Sequence, residues 1–311
     1  MIPIQKISYG RAFNAHRFWA YYLMRLAVQP ALRRMVAGLD AACVNLLETG
    51  RGDRLRDQAR QDRAPIVEPT ARELQENGFA TMAPLLDERA IGEIHDYLAG
   101  QDALAGSRQV RVVPNLDTQG IRHASYPLET IVACPHLLDT INSPALLDVV
   151  ESYLGCRPTV TSLGLRWSFP ADEGGTDVQF FHRDVECWRM LKFFIYLTDV
   201  DETAGPHEYV LRSQRGAGRL RLQPYDDIEV AQQHGANVKR VLGRRGTNFI
   251  EDTWGIHKGV RPTGKPRLLF DVMYSASPVG IYQYDPVASK DASRYDAHVN
   301  RLMLRSPART I

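Results

Sequence analysis

Two hydrophobic regimes divide this chain. As far as about residue 157, most of the apolar positions suit amphipathic helices; from Pro158 onward they gather into short β-branched and aromatic runs typical of strands. A first helix is expected over residues 11–28, where Phe18, Tyr21, Tyr22 and Leu26 mix with Arg17 and Arg25. Pro30 stands where a second helix would begin, running over about Ala31 to Leu47 and ending near Gly50. Residues 51–64, "RGDRLRDQARQDRA", hold charges and small groups and read as a solvated linker. In "PTARELQENG", Thr70 is the expected N-cap, Glu73 its capping-box partner and Gly78 the stop. "FATMAPLL" then reads as a short strand, Asp87 caps a helix to about Leu98, and Ser143, Pro144 and Gly155 frame another.

The later runs "TVTSLGLRWSF", "DVQFFHRD", "LKFFIYLTD", "HEYVLRS", "GTNFIED" and "PRLLFDVMYS" are bounded by Gly, Pro and Asp. Regular short strands of this kind predict a sandwich or jelly-roll barrel rather than a parallel α/β sheet. The long polar interval from Gln214 to Arg245 is expected to be an insertion between strands, of the kind that borders active sites.

Composition narrows the class. The 311 residues carry a net charge of +2, yet residues 1–64 alone hold eleven Lys/Arg and five Asp/Glu. The division expected is a basic helical N-terminal extension over 1–64 and a catalytic domain over 65–311. The basic start packs on the body or on a second copy, lies on a membrane surface as a peripheral contact, or meets nucleic acid. Near-neutral total charge and the lack of a known motif count against nucleic acid. No apolar run approaches the roughly 18–20 residues of a membrane span, and no secretory cleavage pattern is present, so a cytoplasmic protein is expected. Cys43, Cys134, Cys156 and Cys187 are far apart and read as reduced thiols.

The candidate chemistry begins at "FFHRDVECW". On a strand, His182 and Asp184 would share a face. His257 follows in "DTWGIHKGVRPTGKPRLLF", where a jelly roll can return it beside the first pair. Two imidazoles and one carboxylate form the facial set of non-haem Fe(II) oxygenases, and zinc accepts the same donors. Arg267, ten residues past His257, could grip the far carboxylate of 2-oxoglutarate with two parallel hydrogen bonds; Arg261 is its competitor. Lys192, Tyr196 and Thr198 share a strand face that would contact cosubstrate or substrate if turned inward. Arg166 is a candidate for holding an anionic substrate. His207 reads as a turn residue, and Asp252 as a partner orienting His257 or as a turn cap.

The segments "HRDVECW", "FFIYLTDVDETAGPHEYVLRSQ", "GTNFIEDTWGIHKGVRPTGKPRLLF" and the earlier "ELQENGFATMAPLLDERAIGEI" resemble, in order, the phytanoyl-CoA dioxygenase family of Fe(II)/2-oxoglutarate oxygenases. The resemblance spans roughly residues 68–283. It implies an α+β fold, with a double-stranded β-helix (jelly-roll, cupin-like) core, flanking helices and an N-terminal helical extension. It makes His182, Asp184 and His257 the catalytic iron ligands and Arg267 the 2-oxoglutarate clamp. His182 to Trp188 is also similar to the matching stretch of ectoine hydroxylases, which implies a place for Trp188 beside the cosubstrate. The implied cofactors are Fe(II), 2-oxoglutarate and O2. The carboxylate at 184 favours hydroxylation over halogenation, since halogenating relatives carry a small residue there. The implied reaction hydroxylates an unactivated C–H and converts 2-oxoglutarate to succinate. A small metabolite, a lipid or a lipid-linked sugar such as Kdo of inner-core lipopolysaccharide would be the substrate. The alternative is a catalytically silent jelly-roll binding module.

Overall fold

In this computed structural model the described residues are 24–48, 54–112, 118, 120–170, 179–216, 221, 223–279 and 284–307. The helix expected over 11–28 lies outside them except for its last five residues, of which 24–26 are helical. Helix α1, Pro30–Glu48, begins at the expected proline. It turns Pro30, Arg33, Ala37, Ala41 and Val44 inward. Leu32, Met35, Leu39, Leu46 and Leu47 point outward, at 41% to 84% exposure. The small residues let the helix axis approach the body closely, so the buried stripe is not the greasiest one. Among the described residues no helix is long and apolar enough to cross a membrane.

Helix α2, Arg54–Asn77, overturns the linker expected over 51–64 for the part that is described. It continues through Pro65 and Pro69, so Thr70 lies inside the helix rather than capping it. Its polar residues find partners on the body: Arg63 Nε lies 2.7 Å from Asp148 Oδ2 and Arg60 Nη1 lies 3.3 Å from Glu151 Oε1. Val67, Ala71 and Leu74 are buried below them. Tertiary contacts thus outweigh local preference. Gly78 ends α2 with φ +73, donating its N–H to Leu74 O at 2.8 Å. An added Cβ there would collide with the Tyr209 hydroxyl and the Gln214 side chain. Gly78→Ala is therefore expected to cost about 2–4 kcal/mol from left-handed strain plus overpacking, read as a lower urea midpoint.

Helix α3, Glu88–Ala99, opens as expected, with Asp87 Oδ1 accepting from Ala90 N at 2.7 Å. Two short helices, α4 (Leu128–Ala133) and α5 (Leu137–Ile141), precede α6, Pro144–Leu154. Gly155 closes α6 at φ 77, whereas Ser143 makes no side-chain cap bond.

Among the described residues the strands form two principal sheets. The larger has eight, in the order β1-β9-β6-β11-β5-β4-β2-β3. These are β1 Phe79–Thr81, β2 Asp102–Ala105, β3 Arg108–Arg111, β4 His123–Ser125, β5 Thr159–Ser168, β6 Met190–Tyr196, β9 Asn248–Glu251 and β11 Arg267–Ser275. The smaller has three, in the order β10-β7-β8: His257–Gly259, His207–Val210 and Val238–Val241. The interval Gln214–Arg245 is thus only partly an insertion, since it contributes strand β8 as well as helix α7, Asp227–His234.

Strand alternation sets the layers. One face of the large sheet carries Leu163, Leu165, Phe193, Ile195, Ile250, Leu268 and Phe270, which pack with Ile91, Ile94 and Leu98 of α3 and with Leu146 and Val150 of α6. The opposite face carries Phe194, Tyr196, Phe249 and Leu269, packed with Tyr209 and Val241 of the small sheet. The register puts polar residues on that same inner face, pairing Arg267 with Ser168, Leu269 with Arg166, Lys192 with Met273 and His123 with Ser168. An apolar belt therefore surrounds a polar interior, the layout of a jelly-roll site.

Candidate metal centre

The stretch "DVQFFHRD" is not the strand its pattern predicts. Among its described residues, Phe181 bridges Tyr225 and His182 bridges His257, each in isolation. His182 N donates to His257 O at 2.9 Å, and His257 N returns the bond to His182 O at 3.0 Å. This reciprocal pair sets the two imidazoles side by side, with ring centroids 4.4 Å apart. Asp184 arrives by a separate device: its N–H donates to Thr253 O at 2.8 Å, which folds the loop back toward the turn before His257. Convergence comes from cross-chain pairing, not from two positions on one strand face.

The ligand atoms of His182, Asp184 and His257 all lie within 4.8 Å of one another. His182 Nε2 is 3.5 Å from Asp184 Oδ1, and His257 Nε2 is 3.7 Å from Asp184 Oδ2. Both Nδ1 atoms meet backbone carbonyls, His182 with Phe180 O at 2.8 Å and His257 with Gly255 O at 3.0 Å. A carbonyl can only accept, so each Nδ1 carries its proton and a neutral ring offers the Nε2 lone pair. Burial, with His182 adding to it, pushes His257 down to about 4. Burial would lower His182 as well, but the Asp184 carboxylate reverses that and raises it. Burial alone would raise Asp184; Lys192, 2.7 Å away, and the two imidazoles instead hold it well below the usual carboxylate range. The donor set fits a divalent cation: two neutral nitrogens, one ionised oxygen, and a common focus.

Lys192 is thus inward, as its strand face allowed. Tyr196 and Thr198 serve the framework instead. Tyr196 Oη donates to Val241 O at 3.1 Å and accepts from His207 N at 2.9 Å, while Thr198 Oγ1 accepts from Leu268 N at 3.1 Å. Arg267 is 4% exposed, and its Nε and Nη1 have no hydrogen-bond partner among the described residues. Burial lowers its pKa to about 10 without removing its charge at neutral pH. The β11 register sets Arg267 on the same inner face of the large sheet as Lys192. An orphaned guanidinium of this kind suits a carboxylate guest. Arg261, by contrast, lies on the segment following β10 and is half-buried.

His207 is no turn residue: it opens β7, is buried, and pairs through Nε2 with Glu251 Oε2 at 2.8 Å. Asp252 does not orient His257; it accepts from Tyr153 Oη at 2.5 Å and Trp254 N at 2.9 Å, the turn-cap alternative. Trp188 is half-buried with the Arg33 guanidinium 5.4 Å from its ring centroid. Cys187 is buried and its thiol raised by that burial, which fits a packed, unreactive sulfur.

The pattern gave no warning of Glu251, which is fully buried and raised to about 7 by desolvation, nor of Asp271 and His123. Gly164 faces Asp271 and is bare where a Cβ would strike that carboxylate. His123 is lowered to about 4 by burial and by Arg166 and Arg267. Its folded value lies below its unfolded 6.5, so its contribution is intact above pH 6.5 and lost as pH falls toward 4. His123→Gln should flatten that part of the acid limb, recovering up to about 3 kcal/mol at low pH in urea titrations.

No protein-family model and no curated protein sequence matches the chain. Solved structures do. EctD from S. alaskensis in its apoform aligns at TM-score 0.50 with 19% identity, over 78% of this chain and 88% of EctD. EctD with 2-oxoglutarate and 5-hydroxyectoine, and EctD with bound Fe, each give TM-score 0.50 and 18% identity over the same shares of 78% and 88%. This chain therefore has the helix-flanked double-stranded β-helix fold that EctD has.

Proposed function

We propose that the chain is an Fe(II)- and 2-oxoglutarate-dependent dioxygenase that hydroxylates an unactivated C–H bond of a small organic substrate. The observation that carries this reading is the meeting of two imidazole Nε2 atoms and one carboxylate within 4.8 Å. The buried Arg267, with two unused donors, supports it. Structures of EctD with Fe, and with 2-oxoglutarate and 5-hydroxyectoine, accord with it.

His182, Asp184 and His257 would hold the metal from one side, leaving the other side for exogenous ligands. Lys192 Nζ keeps Asp184 Oδ2 engaged at 2.7 Å, which leaves Oδ1 as the freer donor. Arg267 would take the distal carboxylate of 2-oxoglutarate, and the Phe194, Phe249 and Leu269 belt keeps water from the interior. Trp188 would line the cosubstrate pocket. Iron and 2-oxoglutarate would together supply the oxidising chemistry, in which one oxygen atom of O2 would go into the substrate C–H bond and the other into succinate, with CO2 released from the keto acid.

The test is succinate formation from Fe(II), 2-oxoglutarate and O2, comparing the wild-type chain with His182→Ala. Turnover in the wild type and none in the variant is expected. Equal background in both would leave a jelly-roll binding module.

A further inference from the structure

Arg33 is a charged side chain of α1 with 0% exposure. Its Nη1 donates to Met24 O at 2.8 Å and its Nη2 to Cys187 O at 2.7 Å. The guanidinium lies 4.4 Å from the Trp254 ring centroid and 5.4 Å from that of Trp188. Cys187 and Trp188 belong to the loop that carries Asp184. Trp254 belongs to the turn that delivers His257. One arginine from outside the barrel therefore touches both ligand-bearing segments. Cation–π contact of this kind is attractive, and more so where water is excluded, as it is around Trp254.

Resting on the metal-centre reading above, we propose that Arg33 is a positioning residue of that centre, through which helix α1 holds the two ligand-bearing loops at their working separation. The reciprocal bonds of His182 and His257 join those loops on one side, and Arg33 ties them on another. Helix α1 has anchors besides Arg33. Asp40 accepts from Ser277 Oγ, Asn45 Nδ2 donates to Gly155 O at 2.9 Å, and Glu48 Oε2 accepts from Arg157 Nη1 at 2.9 Å. Removing the arginine should loosen the clamp while the helix stays docked.

The experiment measures Fe(II) affinity anaerobically by calorimetry, together with the visible absorption of the Co(II)-loaded chain, for wild type, Arg33→Met, Arg33→Lys and Glu48→Gln. Arg33→Met should bind Fe(II) about 10-fold more weakly, the lower end of what loss of an outer partner brings. Its Co(II) bands should change in shape. Arg33→Lys retains a cation between the indoles but not the fork, so a smaller loss is expected. Glu48→Gln loosens the same helix at its far end. It should lower the melting temperature while leaving affinity and spectrum as in wild type, which simple destabilisation would not do. Wild-type affinity in Arg33→Met overturns the proposal, as does an equal loss in Glu48→Gln. Should Arg33→Met not fold, wild-type affinity in Arg33→Lys overturns it instead. No metal binding by the wild-type chain would sink the metal-centre reading itself, and this inference with it.

Discussion

Asp184→Ala is expected to abolish succinate formation and to weaken Fe(II) binding by at least about a hundredfold, beyond the range for loss of an outer partner. The same change should also lower the stability of the metal-free chain. Lys192 lies 2.7 Å from the Asp184 carboxylate, and the two side chains are only 21% and 13% exposed, so water screens them little. Deleting one partner strands the other. Glu186 and Asp271 remain near the ammonium, which places the cost near the lower end of the usual range, about 3 kcal/mol. Asp184→Ala with Lys192→Met should recover that stability without recovering iron. Anaerobic calorimetry and urea unfolding separate the two effects. A double variant as unstable as the single one would show that the ion pair is not the source of the loss.

Arg267→Met should produce the opposite combination. The KM for 2-oxoglutarate should rise about a hundredfold, equivalent to about 3 kcal/mol for two lost charge-assisted hydrogen bonds, with a much smaller change in kcat at saturation. The cosubstrate-free chain should become more stable by about 1–2 kcal/mol, because Nε and Nη1 of the wild-type residue are desolvated with no bond in return. A purely structural arginine would give the reverse sign. Urea midpoints without cosubstrate and steady-state kinetics with it decide between the two. Lower stability with an unchanged KM would remove Arg267 from the pocket.

His182, Asp184 and His257 were legible as candidates through the order of their segments, which a jelly roll can close, and through the resemblance those segments carry. How they meet was not legible. The alternation around Phe181 suggests a strand, yet Phe181 pairs with Tyr225 and His182 with His257, so the chain leaves sheet geometry within two residues. Helix α2 is hidden in the sequence for a related reason. Residues 54–64 have no apolar stripe, and their helix finds its partners only where Arg60 and Arg63 meet Glu151 and Asp148 about ninety residues later. Glu251 and His207 show the same limit. Each takes its meaning from a partner on another strand, and no local pattern announces a pairing set by sheet register.

The reciprocal amide bonds between residues 182 and 257 let backbone pairing, rather than a ligand, set the spacing of the two imidazoles. Loading should then be like filling a rigid cup, condensing little additional backbone. The heat-capacity change on binding should be small, unlike that of a metal-dependent finger that is a coil without its ion. The melting temperature should climb with free cation by mass action alone. A chelator would empty the cup without unfolding it.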